Sequence, residues 1–111
     1  MKRSIDAIEH AGEIMKKVND AVLLTTKKDG QVNTMTISWG GLAIEWGKPL
    51  FITYVRESRF TKEFLDATGE FTVNLPMGEF DKKITAVCGA KSGRDMDKIA
   101  ELGLTLEEPE E

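Results

Sequence analysis

Three short stretches of this chain collect side chains suited to a flat, negatively charged ligand. The first is Arg56-Glu57-Ser58-Arg59-Phe60-Thr61. It falls where an apolar strand gives way to a helix. A helix N-terminus offers unpaired N–H groups and about half a positive charge. Two arginines there can grip a phosphate bidentately, and Ser58 and Thr61 add hydroxyls. The same residues also describe a capped helix with two solvated arginines. The second stretch is Lys91-Ser92-Gly93-Arg94-Asp95-Met96-Asp97-Lys98, a glycine turn entering a helix between basic residues. A turn of this kind can form an anion-binding nest, or it can be an ordinary helix cap with exposed charges. The third is Asn33-Thr34-Met35-Thr36-Ile37-Ser38-Trp39-Gly40-Gly41. Small hydroxyl residues alternate along one strand face, and glycines let backbone approach a heterocycle closely. A half-exposed strand with a core tryptophan fits the same residues.

The usual catalytic sets do not occur. His10 is the only histidine and sits among charged residues, where a solvated role is expected. Cys88 is the only cysteine, with no histidine near it in sequence, and a lone cysteine is more often a buried bystander. No metal-ligand spacing, dinucleotide-binding glycine motif or phosphate-loop lysine motif is present. If the chain is an enzyme, a cofactor must supply the reactivity.

Composition narrows the classes further. The 111 residues are enough for one domain. An apolar share of 41% and a charged share of 31% suit a globular chain. No apolar run approaches the roughly 20 residues that span a bilayer, and no secretory leader is expected after Met1-Lys2-Arg3. One cysteine rules out an internal disulfide and fits a reducing cytoplasm. The net charge of −4 is concentrated in Glu101, Glu107, Glu108, Glu110 and Glu111; residues 1–100 carry +1. A near-neutral body lacks the broad basic face of a nucleic-acid binder but leaves room for local anion sites.

The elements that must position these stretches follow from pattern. Residues 4–19 read as an amphipathic helix, with Ile5, Ile8, Ala11, Met15 and Val18 on one stripe. Residues 21–27 and 31–39 read as strands joined at Asp29-Gly30, a strong hairpin signal. Residues 40–49 read as a loop bracketed by Gly40-Gly41 and Trp46-Gly47-Lys48-Pro49. Residues 50–55, almost wholly apolar, read as a strand buried on both faces. A helix over 59–67, capped by Ser58 and closed at Gly69, leads to a strand over 70–75 stopped by Pro76. Residues 79–88 read as helix, and a short last helix opens at Ser92-Gly93-Arg94-Asp95 and ends near Gly103. The sum is an α+β domain around a small, mostly antiparallel barrel, with Leu23, Ile37, Phe51, Val55, Phe71 and Val73 expected in its core.

In this order the motifs resemble the flavin reductase-like family, the FMN-binding split barrels that include flavoredoxin. The resemblance runs through Val32-Asn33-Thr34-Met35-Thr36-Ile37-Ser38-Trp39-Gly40, Trp46-Gly47-Lys48-Pro49, Val55-Arg56-Glu57-Ser58-Arg59-Phe60-Thr61, Glu70-Phe71-Thr72-Val73-Asn74-Leu75, Cys88-Gly89 and Ser92-Gly93-Arg94-Asp95-Met96-Asp97-Lys98. No single motif is specific; their order covers nearly the whole chain. The resemblance implies one FMN-binding domain over residues 1–111. It places Thr36, Ile37, Ser38 and Trp39 at the flavin ring and ribityl chain, and Arg56, Ser58, Arg59 and Thr61 at the FMN phosphate. Ser92 and Lys98 are implied near the cofactor, and a two-fold homodimer with flavin near the interface is implied as well. Members usually continue for several dozen residues beyond the point where this chain stops, in Leu104-Thr105-Leu106-Glu107-Glu108-Pro109-Glu110-Glu111, so a short or truncated form is expected.

The function so implied is an NAD(P)H-dependent flavin reductase-type oxidoreductase. A flavoredoxin-like electron carrier without pyridine-nucleotide activity is an alternative, as is a non-catalytic assembly domain. Steady-state NADH oxidation separates the first two, and a yellow purified protein excludes the third.

Overall fold

Two Xaa-Gly dipeptides shape the sheets. In the computed structural model, which describes residues 4–75, 82–90, 92, 97–102 and 104, Asp29 and Gly30 adopt φ of 50° and 80°. Positive φ at both centres makes a tight turn whose twist matches that of the strands. It joins β1 (Val22–Lys28) to β2 (Gln31–Ile37) in antiparallel register, from Lys28 opposite Gln31 to Val22 opposite Ile37. Trp46 and Gly47, at φ of 55° and 71°, make a second turn of the same kind. It joins β3 (Gly40–Glu45) to β4 (Lys48–Thr53). Residues 40–49, expected as a loop, are therefore mostly hairpin. A tryptophan at the first turn position hides the signal that Asn or Asp would give. Gly40 at φ 135° is required where it stands, because a Cβ there would collide with the Ile52 carbonyl oxygen.

The strand β5 (Thr72–Asn74) pairs antiparallel with β1, so the larger sheet runs β2-β1-β5 and β3-β4 forms a second, two-stranded sheet. The expected mixed α+β class with antiparallel sheets is the one found. Cross-strand partners share a face, so Val22 lies with Ile37, and Leu24 lies with Met35 and Val73. Val18, Val22, Leu24, Met35 and Ile37 make the buried centre, with Ile14, Phe51, Val55, Val73 and Leu75 packed against it. Two expected core residues are elsewhere. Leu23 points to the opposite face of β1, beside Thr36 and Asn74, and Phe71 is 39% exposed ahead of β5. Nor is β4 buried on both sides. Phe51 reaches the core, whereas Leu50 and Ile52 remain 37% and 44% exposed, because among the described residues the two-stranded β3-β4 sheet is covered on one face.

The helices bracket these sheets. α1 (Ala11–Asn19) begins later than the expected residue 4, with turns over 7–10 before it. α2 (Phe60–Thr68) ends on Gly69 in the left-handed conformation, as expected of a C-terminal glycine. The expected cap at Ser58 is displaced by one residue: the chain is still extended at Arg59, which occupies the cap position and makes no side-chain cap hydrogen bond. α3 (Lys82–Ala90) packs on β2, where Thr36 Oγ1 donates to the Thr85 carbonyl at 2.6 Å. α4 (Lys98–Glu101) starts well past Ser92, capped instead by Asp97, whose Oδ1 accepts from the Ala100 amide at 3.2 Å. The start of the expected 79–88 helix, Pro76, Lys91 and the Gly93-Arg94-Asp95-Met96 turn lie outside the described residues.

Candidate functional site

A groove of about 200 Å³ is lined by Met35, Thr36, Ile37, Ser38, Trp39, Tyr54, Arg56 and Arg59. Five of these are consecutive. Three of them, Met35, Thr36 and Ile37, are successive residues of β2; side chains of a strand alternate between faces, so all three can meet one groove where it runs along the strand's edge. β2 has that edge: its one strand partner among the described residues is β1. Unpaired backbone N–H and C=O groups of an edge strand are ready hydrogen-bond partners. Beyond Ile37 the chain leaves the strand, and Ser38 and Trp39 carry the groove toward the second sheet. Tyr54 and Trp39, 65% and 55% exposed, supply aromatic walls at its mouth.

Both groove arginines are held by neutral groups. The Arg56 guanidinium lies 4.9 Å from the Trp39 ring centroid, a cation–π contact. Arg59 donates through one terminal nitrogen to the Gly89 carbonyl at 3.3 Å and through the other to the Cys88 carbonyl at 3.1 Å. Those carbonyls end α3, where a helix leaves C=O groups without internal partners and carries partial negative charge. Among the described residues neither guanidinium meets a carboxylate. Each keeps N–H donors for an anion in a fixed place.

Behind Arg59 lies a buried pair. Cys88 is fully buried and Lys98 is 4% exposed, and the Lys98 ammonium donates to the Cys88 carbonyl at 3.2 Å. Burial pushes the Cys88 thiol above its ordinary range, against the pull of the Lys98 and Arg59 charges. Burial pulls Lys98 down, with Arg59 adding to the effect and Cys88 opposing it.

Of the residues singled out in the sequence, Thr36, Ile37, Ser38, Trp39, Arg56 and Arg59 meet in one groove. Ser58 is exposed beside it and does not line it. Thr61 is turned inward: it is 1% exposed, and its hydroxyl accepts from Asn33 Nδ2 at 2.8 Å. Ser92 is half-buried beyond α3, and Lys98 stands behind the groove. Met35, named only as part of its stretch and given no site role, and Tyr54, outside all three stretches, also line the groove. Tyr54 had a signal: it stands two residues before Arg56, on the same side of an extended segment.

An antiparallel α+β domain with an edge-strand groove and two anchored arginines is the class the geometry defines. The chain belongs to the flavin reductase-like family: residues 16–110 match the profile described as "Flavin reductase like domain". Among solved structures it is similar to an FMN-binding domain of a flavin reductases-like enzyme from Shewanella baltica OS155. Identity there is 21%, with 90% of this chain and 53% of that chain covered and a TM-score of 0.70, a likeness of fold. It is also similar to flavoredoxin of Desulfovibrio vulgaris (Miyazaki F), at 27% identity, covering 77% of this chain and 45% of that one, with a TM-score of 0.66. The chain thus spans about half the length of these structures. No curated protein matches it. Among the described residues no helix is long and apolar enough to cross a membrane, and no cluster of side chains could hold a metal ion.

Proposed function

We propose that the chain binds FMN along the β2 edge, as the flavin-bearing domain of an NAD(P)H-dependent flavin reductase-type oxidoreductase. The observation that carries this reading is the run of residues 35–39 lining one groove with Arg56 and Arg59. An isoalloxazine ring needs a flat site with backbone hydrogen bonds on its polar edge, and its ribityl phosphate needs anchored cations nearby. The groove supplies both kinds of partner. Thr36, Ile37 and Ser38 serve the ring and ribityl, Trp39 and Arg56 border them, and Arg59 takes the phosphate with help from Ser58. Thr61 acts from the interior, fixing the start of α2 through Asn33, and Ser92 belongs to the rim beyond α3.

Hydride and electron acceptance is the chemistry of the flavin when bound. The protein's own part is to hold the ring, to present N–H donors where negative charge develops, and to leave one ring face accessible to a nicotinamide. The similarity to a flavoredoxin favours a second reading, an electron carrier that binds FMN without oxidising pyridine nucleotide. We place the protein in the cytoplasm, where Cys88 stays a free thiol. We also expect a two-fold homodimer that covers the exposed apolar residues of the β3-β4 hairpin.

The absorbance spectrum of the protein purified with FMN, followed by NADH and NADPH oxidation, tests the reading. Flavin bands that copurify, with steady pyridine-nucleotide turnover, are expected. Flavin bands without turnover favour the electron carrier, and a colourless protein that takes up no FMN contradicts both.

A further inference from the structure

Arg59 and Lys98 share an acceptor. Arg59 reaches the Cys88 carbonyl oxygen at 3.1 Å and Lys98 reaches the same oxygen at 3.2 Å. A carbonyl has two lone pairs and can accept both. The two cations differ in everything else. Arg59 opens onto the groove, whereas Lys98 is 4% exposed and lines no part of it. Lys98 is also fixed at its root, as the first residue of α4 behind the Asp97 cap.

We propose that Lys98 is a positioning residue for the anion subsite: from the interior it fixes the α3 carbonyl that aims Arg59, and it does not touch the ligand. The inference rests on the FMN reading above and deepens it, because the ligand group concerned is the phosphate monoester.

The physical case has three parts. The last carbonyls of a helix have no internal partner, so without a donor their orientation is loose. Lys98 supplies that donor for Cys88. The Thr36 hydroxyl supplies a second restraint one turn back at Thr85, and a Cβ added at Gly89 would meet the Thr36 side chain at 3.4 Å, so the helix end lies close on β2. The terminus is therefore held on two sides, and its carbonyls are fixed targets for Arg59. An arginine has several rotatable bonds, and ordering them on binding costs affinity. One already held by Cys88 and Gly89 avoids most of that cost and presents its remaining N–H groups to an anion. Burial and the nearby Arg59 both oppose the charge on Lys98. A cation kept at such a place is better explained by what it orders than by its own contribution to stability.

The test compares FMN with riboflavin, which lacks the phosphate, by fluorescence quenching on the whole chain. The variants are Lys98→Met, Lys98→Arg, Arg59→Ala and the double variant Arg59→Ala/Lys98→Met. Loss of one hydrogen-bond restraint predicts roughly three- to tenfold weaker FMN binding in Lys98→Met, riboflavin binding within about twofold of the parent, and retention of FMN affinity in Lys98→Arg. The double variant is expected to bind FMN no more weakly than Arg59→Ala, since Lys98 acts through Arg59. Equal losses for FMN and riboflavin would reduce Lys98 to a general structural role and overturn the proposal. So would a loss that adds in full to that of Arg59→Ala, the mark of an independent contact. FMN affinity unmoved by Lys98→Met but lowered by Arg59→Ala overturns this inference alone; affinity unmoved by Arg59→Ala overturns the FMN reading with it. Should Lys98→Met fail to fold, Lys98→Leu, which likewise has no donor, carries the same comparison with the same expected pattern.

Discussion

The Arg56 guanidinium rests 4.9 Å from the centroid of the Trp39 ring. Trp39 follows the groove-lining strand and Arg56 follows β4, so the contact joins the two sheets at the groove. Trp39→Leu removes the ring quadrupole while keeping an apolar side chain. A partly exposed cation–π contact is worth about 0.5–1 kcal/mol, so FMN affinity should fall roughly two- to fivefold. Titration of the variant checks this; an unchanged affinity would mean that Arg56 is placed without Trp39.

Trp46 occupies a left-handed conformation at a hairpin tip, where non-glycine residues are uncommon. Trp46→Asn creates an Asn-Gly turn, the preferred pair for this geometry. Relief of part of the backbone cost should stabilise the protein by about 1 kcal/mol, which raises Tm by roughly 4–8 °C for a domain of this size. A lowered Tm in thermal unfolding would show that the tryptophan contributes more through contacts than it costs in conformation.

The same turn explains what sequence reading reached and what it missed. Asp29-Gly30 announced its hairpin, and β1 and β2 followed with nearly their observed bounds. Trp46-Gly47 did not, so β3 passed for a loop. In β1 the run Val22-Leu23-Leu24 is apolar at both parities, and alternation alone could not decide which residues face inward. Pairing decided it, placing Val22 and Leu24 opposite Ile37 and Met35. Thr36, Ile37, Ser38, Trp39, Arg56 and Arg59 were legible as groove candidates because they cluster in two motifs. The inward turn of Thr61 and the helix-end carbonyls of Cys88 and Gly89 were not. One depends on which side of a helix faces a neighbour, and the other is made of backbone, which side-chain types do not reveal.

The raised Cys88 ionisation gives a stability signature at alkaline pH. The folded state keeps the thiol protonated above its ordinary value of 9.0, while the unfolded chain ionises near it. The contribution of Cys88 is therefore complete below pH 9 and is lost as pH rises from 9 through the raised folded value. The difference in unfolding free energy between the parent and Cys88→Ala should shrink across that range, with Lys98 and Arg59 as the facing charges in both proteins. Denaturant melts at pH 8 and pH 10 measure it. A difference that stays constant or grows would contradict a protected thiol.

The hairpin surface carries the expectation of a dimer. Leu50, Ile52 and Tyr54 are exposed on β4 and just beyond it, and exposed apolar patches mark interaction sites. Light scattering at micromolar concentration should give twice the chain mass, and Ile52→Glu should shift it toward the monomer. A monomeric parent would rule out self-association through this face.

The central claim is that Arg59 anchors the phosphate of FMN at the end of the β2-edge groove. Fluorescence-quenching titrations of the parent and Arg59→Ala, each with FMN and with riboflavin, test it most directly. A charge-assisted hydrogen bond is worth about 1.5–3 kcal/mol, so Arg59→Ala should weaken FMN binding by roughly ten- to a hundredfold. Riboflavin should bind the parent weakly and be nearly indifferent to the substitution. Equal weakening of both flavins in a folded variant, or no weakening of FMN, would contradict the account.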